Sequence, residues 1–449
     1  MRCSWMAAVV YLNVLLYSLC FRLQAPVEPF LVQSLARPGT DAGMAYSSLQ
    51  SWASLVYTSG SLAMGLLLDI WGMRCSFIIC FLSTALSYGL LSVATTMPLL
   101  FISRVPTFFQ HGFLLSQALL LQETSEEGRG GALGRLQLAY TAGASVSPVV
   151  GGFLASSGDL YIGARAATAL SLLSAGLCLL LPKSTAVDHG GDYELSSAEP
   201  AVLGSPSLYR EEPAKRSSSP MAGSFGGLPM PTVTPFTLRL LGIPKLRALL
   251  SRRVLLILIL AKIGLAVCSS LDGTTEPLVL IYKFGLSPEQ LGEVQGGSVF
   301  LGGIIGACAL GPLSKRLTPG VLLQRCLMIR AILGLVATIA ISETIGLPNE
   351  KVGHLYLLYV FLMNINGSIM GNSLTVYTTA AVVREERGTL MGLEHAIHSL
   401  PQMVSPMIAG VLLHVGGGAL ATGTSALLTV GMMLALRRQV LPRYRSKDA

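Results

Sequence analysis

Apolar side chains occur along this chain in long runs that are separated by short polar segments. A run of about 20 apolar residues can cross the hydrocarbon core of a bilayer as an α-helix, because a helix satisfies its own backbone hydrogen bonds. The pattern therefore predicts an all-α membrane protein with twelve transmembrane helices. We place these spans at 5–27, 46–68, 75–95, 98–121, 132–156, 162–182, 252–282, 289–312, 321–342, 353–381, 388–414 and 418–437.

One long segment, residues 184–237, interrupts this pattern. It is rich in Ser, Pro, Gly and Ala and holds too few apolar residues to bury a core. We interpret it as a disordered cytosolic linker. The chain then divides into an N-terminal six-helix half (1–183) and a C-terminal six-helix half with a short cytosolic tail (238–449).

The two halves share sequence patterns at nearly constant offsets. Val146–Pro148 matches Val404–Pro406 at an offset of 258, and Glu28-Pro29 matches Glu276-Pro277 at an offset of 248. Such similarity predicts two pseudo-symmetric halves of common origin. Parallel halves place a substrate site at their interface near the bilayer midplane, which is reached from either side in turn. The repeat therefore favours a transporter.

Composition and charge exclude most other classes of protein. Hydrophobic residues make up 52% of the chain and charged residues 12%, whereas roughly a quarter of a soluble protein is charged. With twelve spans and a cytosolic N-terminus, most of the 31 Lys and Arg, Arg330 among them, are assigned to cytosolic segments. This distribution of positive residues, which accounts for the net charge of +8, indicates that both termini are cytosolic. We predict no nucleic-acid partner. No motif supports enzyme chemistry, a cofactor or a metal site.

A short motif lies between spans two and three. Gly65 and Gly72 allow close helix approach, and Asp69 and Arg74 supply opposite charges. In this motif the chain resembles the major facilitator superfamily, although two positions that are usually basic are apolar here. The resemblance implies the twelve-helix fold of that superfamily and an inner gate that Asp69 and Arg74 latch.

Span five carries a second motif. Pro148 removes a helix hydrogen bond, and Gly143, Gly151 and Gly152 thin the helix for close packing. The segment resembles the antiporter-associated signature of the superfamily, with Ser147 in place of a glycine, and thereby implies exchange rather than symport. The matching pattern in span eleven leaves open that simple duplication produced it.

A closer resemblance rests on spans four, five and eleven. Ser103–Pro106, Ala132–Leu136 and Gly388–Leu393 are similar to the organic-cation-transporter-like branch of solute carrier family 22, known as member 18. This resemblance implies a polyspecific carrier that exchanges organic cations or drugs for protons. In related drug/proton antiporters the span-four arginine, here Arg104, is linked to proton coupling. The alternative is that Arg104 reaches out to the headgroups.

Ionisable residues inside predicted spans are functional candidates, because a charge within the bilayer is costly. Span seven carries Lys262, Asp272 and Glu276, and at about 100° per residue the two carboxylates lie about 40° apart on one helix face. We expect Asp272 to bind the proton or the cation. Glu276 and Glu28 each precede a proline, and we interpret them as helix ends where solvated caps are common, while keeping both as pathway candidates.

Span eleven places Glu394 and His398 four residues apart on one helix face. A proton relay is one interpretation, because histidine titrates near neutrality, and structural polar packing is the other. Two such ligands are too few for a metal site.

We predict a secondary active transporter that works by alternating access and exchanges organic cations or drug-like molecules for protons. One alternative is uniport or symport of a neutral or anionic metabolite, with Lys262 and Arg104 as its anchors. Another is a non-transporting sensor or scaffold, whose function deletion of Leu195–Gly227 in the linker would destroy. The expected partners are a small-molecule substrate, protons and lipid, with the chain as a monomer in the plasma membrane or in an internal membrane such as the endosome or vacuole.

Overall fold

A computed structural model describes residues 2–124, 126–181, 252–342, 346, 348–380 and 387–439. The predicted linker, residues 184–237, lies outside these ranges. Every regular element within them is helical. The helices are α1 (Arg2–Leu23), α2 (Glu28–Leu35), α3 (Ala42–Ser92), α4 (Met97–Ser103), a 3₁₀ helix (Val105–Phe109), α5 (Gly112–Glu123), α6 (Glu126–Ala155), α7 (Ile162–Cys178), α8 (Arg253–Tyr282), α9 (Pro288–Arg316), α10 (Pro319–Ile341), α11 (Asn349–Ala380) and α12 (Arg387–Gln439).

These helices confirm the all-α membrane fold that the apolar runs predict. Within the described residues, seven helical segments are long and apolar enough to cross a bilayer. The other predicted spans also coincide with helix. The number of twelve crossings stays a prediction.

Helices α3 and α12 each contain two predicted spans, which glycine turns separate. Gly72 adopts φ 74° and ψ 168°, and Gly417 adopts φ 65° and ψ −168°. This region of backbone conformation is open essentially to glycine alone. The two turns lie where the sequence predicts the short loops after spans two and eleven.

Spans one and four are interrupted helices. α1 ends at Leu23, and after a turn α2 begins at Glu28 with Pro29 in its first turn. Helix therefore continues to Leu35, and the predicted end of span one at residue 27 is wrong. In span four the 3₁₀ helix separates α4 from α5, because Pro106 lacks the amide hydrogen that a continuous α-helix needs.

Each half has its own apolar clusters. In the N-terminal half Phe77, Phe81 and Leu115 are fully buried in one of them. In the C-terminal half Leu258 and Leu327 are fully buried in another. Two further clusters include residues of both halves, with Leu278 in one and Phe30 in the other.

The halves meet along two helix pairs, α3 with α12 and α6 with α9. Gly410 of α12 packs on Ser47 of α3, and Gly152 of α6 packs on the backbone of Pro288 in α9. Both contacts lie at the end of the bundle that carries residues 36–41, 156–161, 283–288 and 414–418, which we call the Asp41 end. The two halves are therefore closely packed at this end.

Candidate functional site

The interruptions of spans one and four bring opposite charges together inside the N-terminal half. Glu28 lies in the first turn of α2, and Arg104 follows the last residue of α4. Arg104 Nη2 lies 2.7 Å from Glu28 Oε1, and the two side chains are 11% and 9% exposed. Glu28 is thus a buried, paired carboxylate and not a solvated helix end. We call these two residues the N-terminal pair.

The interruption of span four frees backbone carbonyl groups, which side chains of neighbouring helices bind. Tyr17 donates its hydroxyl hydrogen to the Gln110 carbonyl at 2.9 Å, and Ser87 donates to the Ser103 carbonyl at 2.7 Å. Irregular backbone is tolerated at membrane depth where protein groups satisfy it in this way. These bonds hold the interrupted segment and thereby fix the position of Arg104.

The C-terminal half carries a second buried ion pair, between Asp272 of α8 and Arg330 of α10. The two side chains are 16% and 5% exposed. Arg330 lies near the middle of α10 (Pro319–Ile341), so its assignment to a cytosolic segment is wrong. Its apolar neighbours in the sequence, Met328, Ile329 and Ala331, were the signal that places it inside a span.

Glu276 follows Asp272 by one helical turn on α8. The helix continues through Pro277 to Tyr282, so Glu276 is not a helix end, and its side chain is half-buried. In the described part of the chain no ion pair or hydrogen bond holds the Glu276 carboxylate, and the charge that acts on it is that of Asp272. We call Asp272, Glu276 and Arg330 the C-terminal triad.

Buried tyrosine rings lie near both charge groups. Tyr46 and Tyr88 are buried near the N-terminal pair. Tyr356 and Tyr359 of α11 are buried near the C-terminal triad, and their rings are stacked with centroids 5.3 Å apart. Aromatic faces attract organic cations. The surroundings of both groups are therefore suited to a positively charged, partly apolar ligand.

Of the other pathway candidates, Lys262 is described and lies apart from both groups. Lys262 is half-buried on α8, and ten residues of helix place it about 15 Å from Asp272 along the axis. The positions of Glu394 and His398 lie on the helical backbone of α12, but their side chains lie outside the description. Among the described residues, no three metal-binding side chains form a cluster.

The motif between spans two and three is described in part. Gly72 forms the turn, and Arg74 is half-buried in the helix that follows. Gly65 and Asp69 lie on the helical backbone of α3, where nothing is described of the Asp69 side chain. The inner latch between Asp69 and Arg74 stays a prediction.

The helix-five motif lies at two close helix contacts. Pro148 is inside α6. Gly143 and Gly151 face α1, and a Cβ atom at either position would overlap α1 atoms. A Cβ at Gly152 would lie 2.5 Å from the carbonyl oxygen of Pro288 in the other half. The motif thus contacts both halves, and its link with exchange stays a prediction.

A polar contact joins the halves at the Asp41 end. Asp41 Oδ2 lies 2.6 Å from His414 Nδ1, and Asp41 Oδ1 accepts the backbone hydrogens of Gly43 and Met44 as the N-cap of α3. Partial burial by itself raises the pKa of Asp41, but the hydrogen bonds from these three residues outweigh it and hold that pKa below its ordinary value. No local sequence pattern signals this contact, because the partners are 373 positions apart.

The family model of the Major Facilitator Superfamily matches residues 10–342. This chain belongs to the major facilitator superfamily. The resemblance inferred from the first-loop and helix-five motifs is therefore confirmed. Among relatives of this transporter, solute carrier family 22 member 18 of Rattus norvegicus is 24% identical over 449 residues, which cover 98% of this chain and 95% of the rat protein. Solute carrier family 67 member A1 of Homo sapiens is 24% identical over 95% of this chain and 91% of the human protein.

Solved structures show the same fold. A D-xylose-proton symporter aligns with this transporter at a TM-score of 0.68 and 14% identity, covering 96% of this chain and 97% of the symporter. Family and fold make this chain a multi-pass membrane transporter and not an enzyme.

Proposed function

We propose that this transporter exchanges organic cations for protons by alternating access. The charge balance of the described buried groups carries the proposal. The N-terminal pair is neutral, whereas the C-terminal triad holds two carboxylates and one guanidinium. A buried negative charge without a partner requires either a proton or a cation. Proton and cation therefore compete for the same group, and such competition produces exchange.

The two-half architecture supports alternating access. The halves meet along α3 with α12 and along α6 with α9, and rocking about such interfaces opens a central site to either side in turn. We take the chain to act as a monomer with both termini cytosolic, as its distribution of positive charge predicts. Its location is the plasma membrane or an internal membrane such as the endosome or vacuole.

An anionic substrate has less support. Among the described residues, the two buried guanidinium groups that lie inside predicted spans, Arg104 and Arg330, already pair with carboxylates. Lys262, the other anchor for an anion, lies about 15 Å along α8 from Asp272. An anion would therefore have to separate a buried ion pair, at the cost of leaving a carboxylate uncompensated.

The experiment uses purified protein in liposomes with an imposed pH gradient, and internal pH is followed while organic cations, anions and sugars are added outside. We expect a cation to drive protein-dependent proton movement, and Asp272→Asn and Glu276→Gln to abolish it. The matched control is Glu350→Gln, which removes an exposed carboxylate at the start of α11 and should leave exchange unchanged. Empty liposomes measure the proton leak that does not depend on the protein.

Three outcomes oppose the proposal. Uptake of a labelled sugar or anion without proton movement supports uniport instead. Uptake of an anion that survives Asp272→Asn and fails in Lys262→Gln supports the anionic alternative. Loss of cellular function on deletion of Leu195–Gly227, with no transport of any solute, supports a sensor or scaffold.

A further inference from the structure

The C-terminal triad has a geometry that the exchange proposal does not by itself explain. Arg330 contacts the Asp272 carboxylate, while Glu276 lies one helical turn beyond Asp272 on the same face of α8. Side chains at this spacing are separated by about 6 Å between their Cβ atoms. A guanidinium with several N–H donors can therefore bind either carboxylate after a change of side-chain rotamer.

No other described group substitutes for Arg330. The titratable groups that face the triad are Cys268 on α8 and the Tyr356 and Tyr359 hydroxyls on α11. The neighbouring side of α12 presents the Ser425 hydroxyl to Asp272. None of these groups carries a positive charge, so Arg330 decides which of the two carboxylates is neutralised.

We propose that Arg330 is a positioning residue that holds Asp272 as a permanent anion and thereby leaves Glu276 to bind the proton and the cation in turn. This inference rests on the proposed function, because it names the exchanging group of the same site. Asp272 then acts indirectly, by keeping Arg330 away from Glu276. If Asp272 is made neutral, Arg330 turns to Glu276 and occupies the place of the proton and the cation.

The test measures proton release from the purified protein in detergent, in weak buffer with a pH-sensitive dye, when tetraethylammonium or tetraphenylphosphonium is added. We expect release from the wild type and none from Glu276→Gln. Asp272→Asn should also abolish release, although Glu276 is intact. The double variant Asp272→Asn/Arg330→Gln should restore it, and adding Glu276→Gln to that pair should remove it again.

The folded Asp272→Asn variant separates positioning from a purely structural ion pair. If the pair were only structural, this variant, once folded, would still release protons from Glu276, whereas under the positioning role it releases none until Arg330 is also removed. Unfolding temperature and gel filtration identify variants that fail to fold. Release from Asp272→Asn at the wild-type level overturns the proposal, and so does a folded double variant that releases nothing while the wild type releases protons.

A second measurement keeps failure of this inference apart from failure of the proposed function. Without any cation, a proton held by Glu276 in the folded state makes the wild type lose stability as pH rises, because that proton must leave. Glu276→Gln and Asp272→Asn should lack this pH dependence, and the double variant should regain it. If that pattern holds while no cation releases protons, the positioning role stands and organic-cation exchange fails. If the pattern is absent, the positioning role is overturned.

Discussion

The N-terminal and C-terminal halves carry related sequences around their buried carboxylates, but the two sites differ in charge. The offset that matches Glu28-Pro29 with Glu276-Pro277 also matches Gln24 with Asp272. Gln24 donates to a backbone carbonyl at 3.0 Å, whereas Asp272 binds Arg330. Where the N-terminal half has the amide of Gln24, the C-terminal half thus has the carboxylate of Asp272. With this change the N-terminal half holds a neutral pair, and the C-terminal half holds a triad with excess negative charge.

The ion pairs are not copies of one another. Arg104 comes from the fourth span of its half, at an interrupted helix, and Arg330 comes from the third span of its half, inside a continuous helix. The two halves thus share the glutamate-proline pattern but take their cations from different spans. We therefore expect the N-terminal pair to be structural and the C-terminal triad to be available for chemistry.

The largest effect is expected from breaking the N-terminal pair. Arg104→Gln leaves Glu28 buried without a cation, which should lower the free energy of unfolding by about 3–5 kcal/mol. Glu28→Gln/Arg104→Gln should recover most of this loss, because no buried charge remains. Chemical unfolding in detergent measures both variants. Arg165→Gln, which breaks the exposed pair with Asp159, is the control and should cost about 1 kcal/mol or less.

A smaller effect on the free energy of unfolding is expected at a position where one half has glycine and the other has alanine at a helix contact. Gly151 corresponds to Ala409 at the offset of 258, and a Cβ at Gly151 would overlap the Leu23 carbonyl. Gly151→Ala should therefore destabilise the protein by about 1–3 kcal/mol. Ala409→Gly should cost about 0.5–1 kcal/mol through helix propensity. Equal effects on unfolding temperature would show that the two contacts are equally close.

The charge difference between the halves can be tested by removing it. Gln24→Asp should give the N-terminal half a second carboxylate one helical turn before Glu28, and one of the two should then take up a proton. Raising the pKa of a carboxyl by one from its ordinary value near 4 corresponds to about 1.4 kcal/mol, so we expect stability to fall by about this amount as pH rises from pH 3 to pH 6. Gln24→Asn is the matched control without charge. A flat pH dependence in Gln24→Asp would contradict the comparison.

The smallest effect is expected at the contact between the halves, Asp41 with His414. The pKa of Asp41 is lowered in the folded state. Its contribution to the free energy of unfolding is therefore present above the pKa that Asp41 has in the unfolded chain, near 4, and is lost as pH falls through the lower pKa of the folded state. The side chains are 37% and 64% exposed, so solvent screening limits the effect to about 1 kcal/mol or less. Asp41→Asn keeps a capping side chain. In this variant the unfolding temperature should change less between pH 5 and pH 3 than it does in the wild type. An unchanged slope would exclude this role.

The sequence patterns predicted the helices more accurately than they predicted the places where those helices are interrupted. Pro29 and Pro106 were visible in the sequence, but proline also occurs inside the continuous helices α6 and α8. Whether a proline interrupts a helix depends on groups that bind the freed carbonyls, such as Tyr17 at Gln110. Those groups come from distant parts of the chain, so the local pattern does not contain the answer.

The apolar runs alone were enough to predict the membrane setting and the helical class of this protein. These features follow from the bilayer, which requires each crossing segment to satisfy its own backbone hydrogen bonds, so composition within a segment is enough. The pairing of charges, Glu28 with Arg104 and Asp272 with Arg330, emerges only from the folded chain, as does the lack of a cation for Glu276 among the described residues. Such pairing depends on how neighbouring helices rotate and approach one another, and side-chain packing across the whole half sets that arrangement.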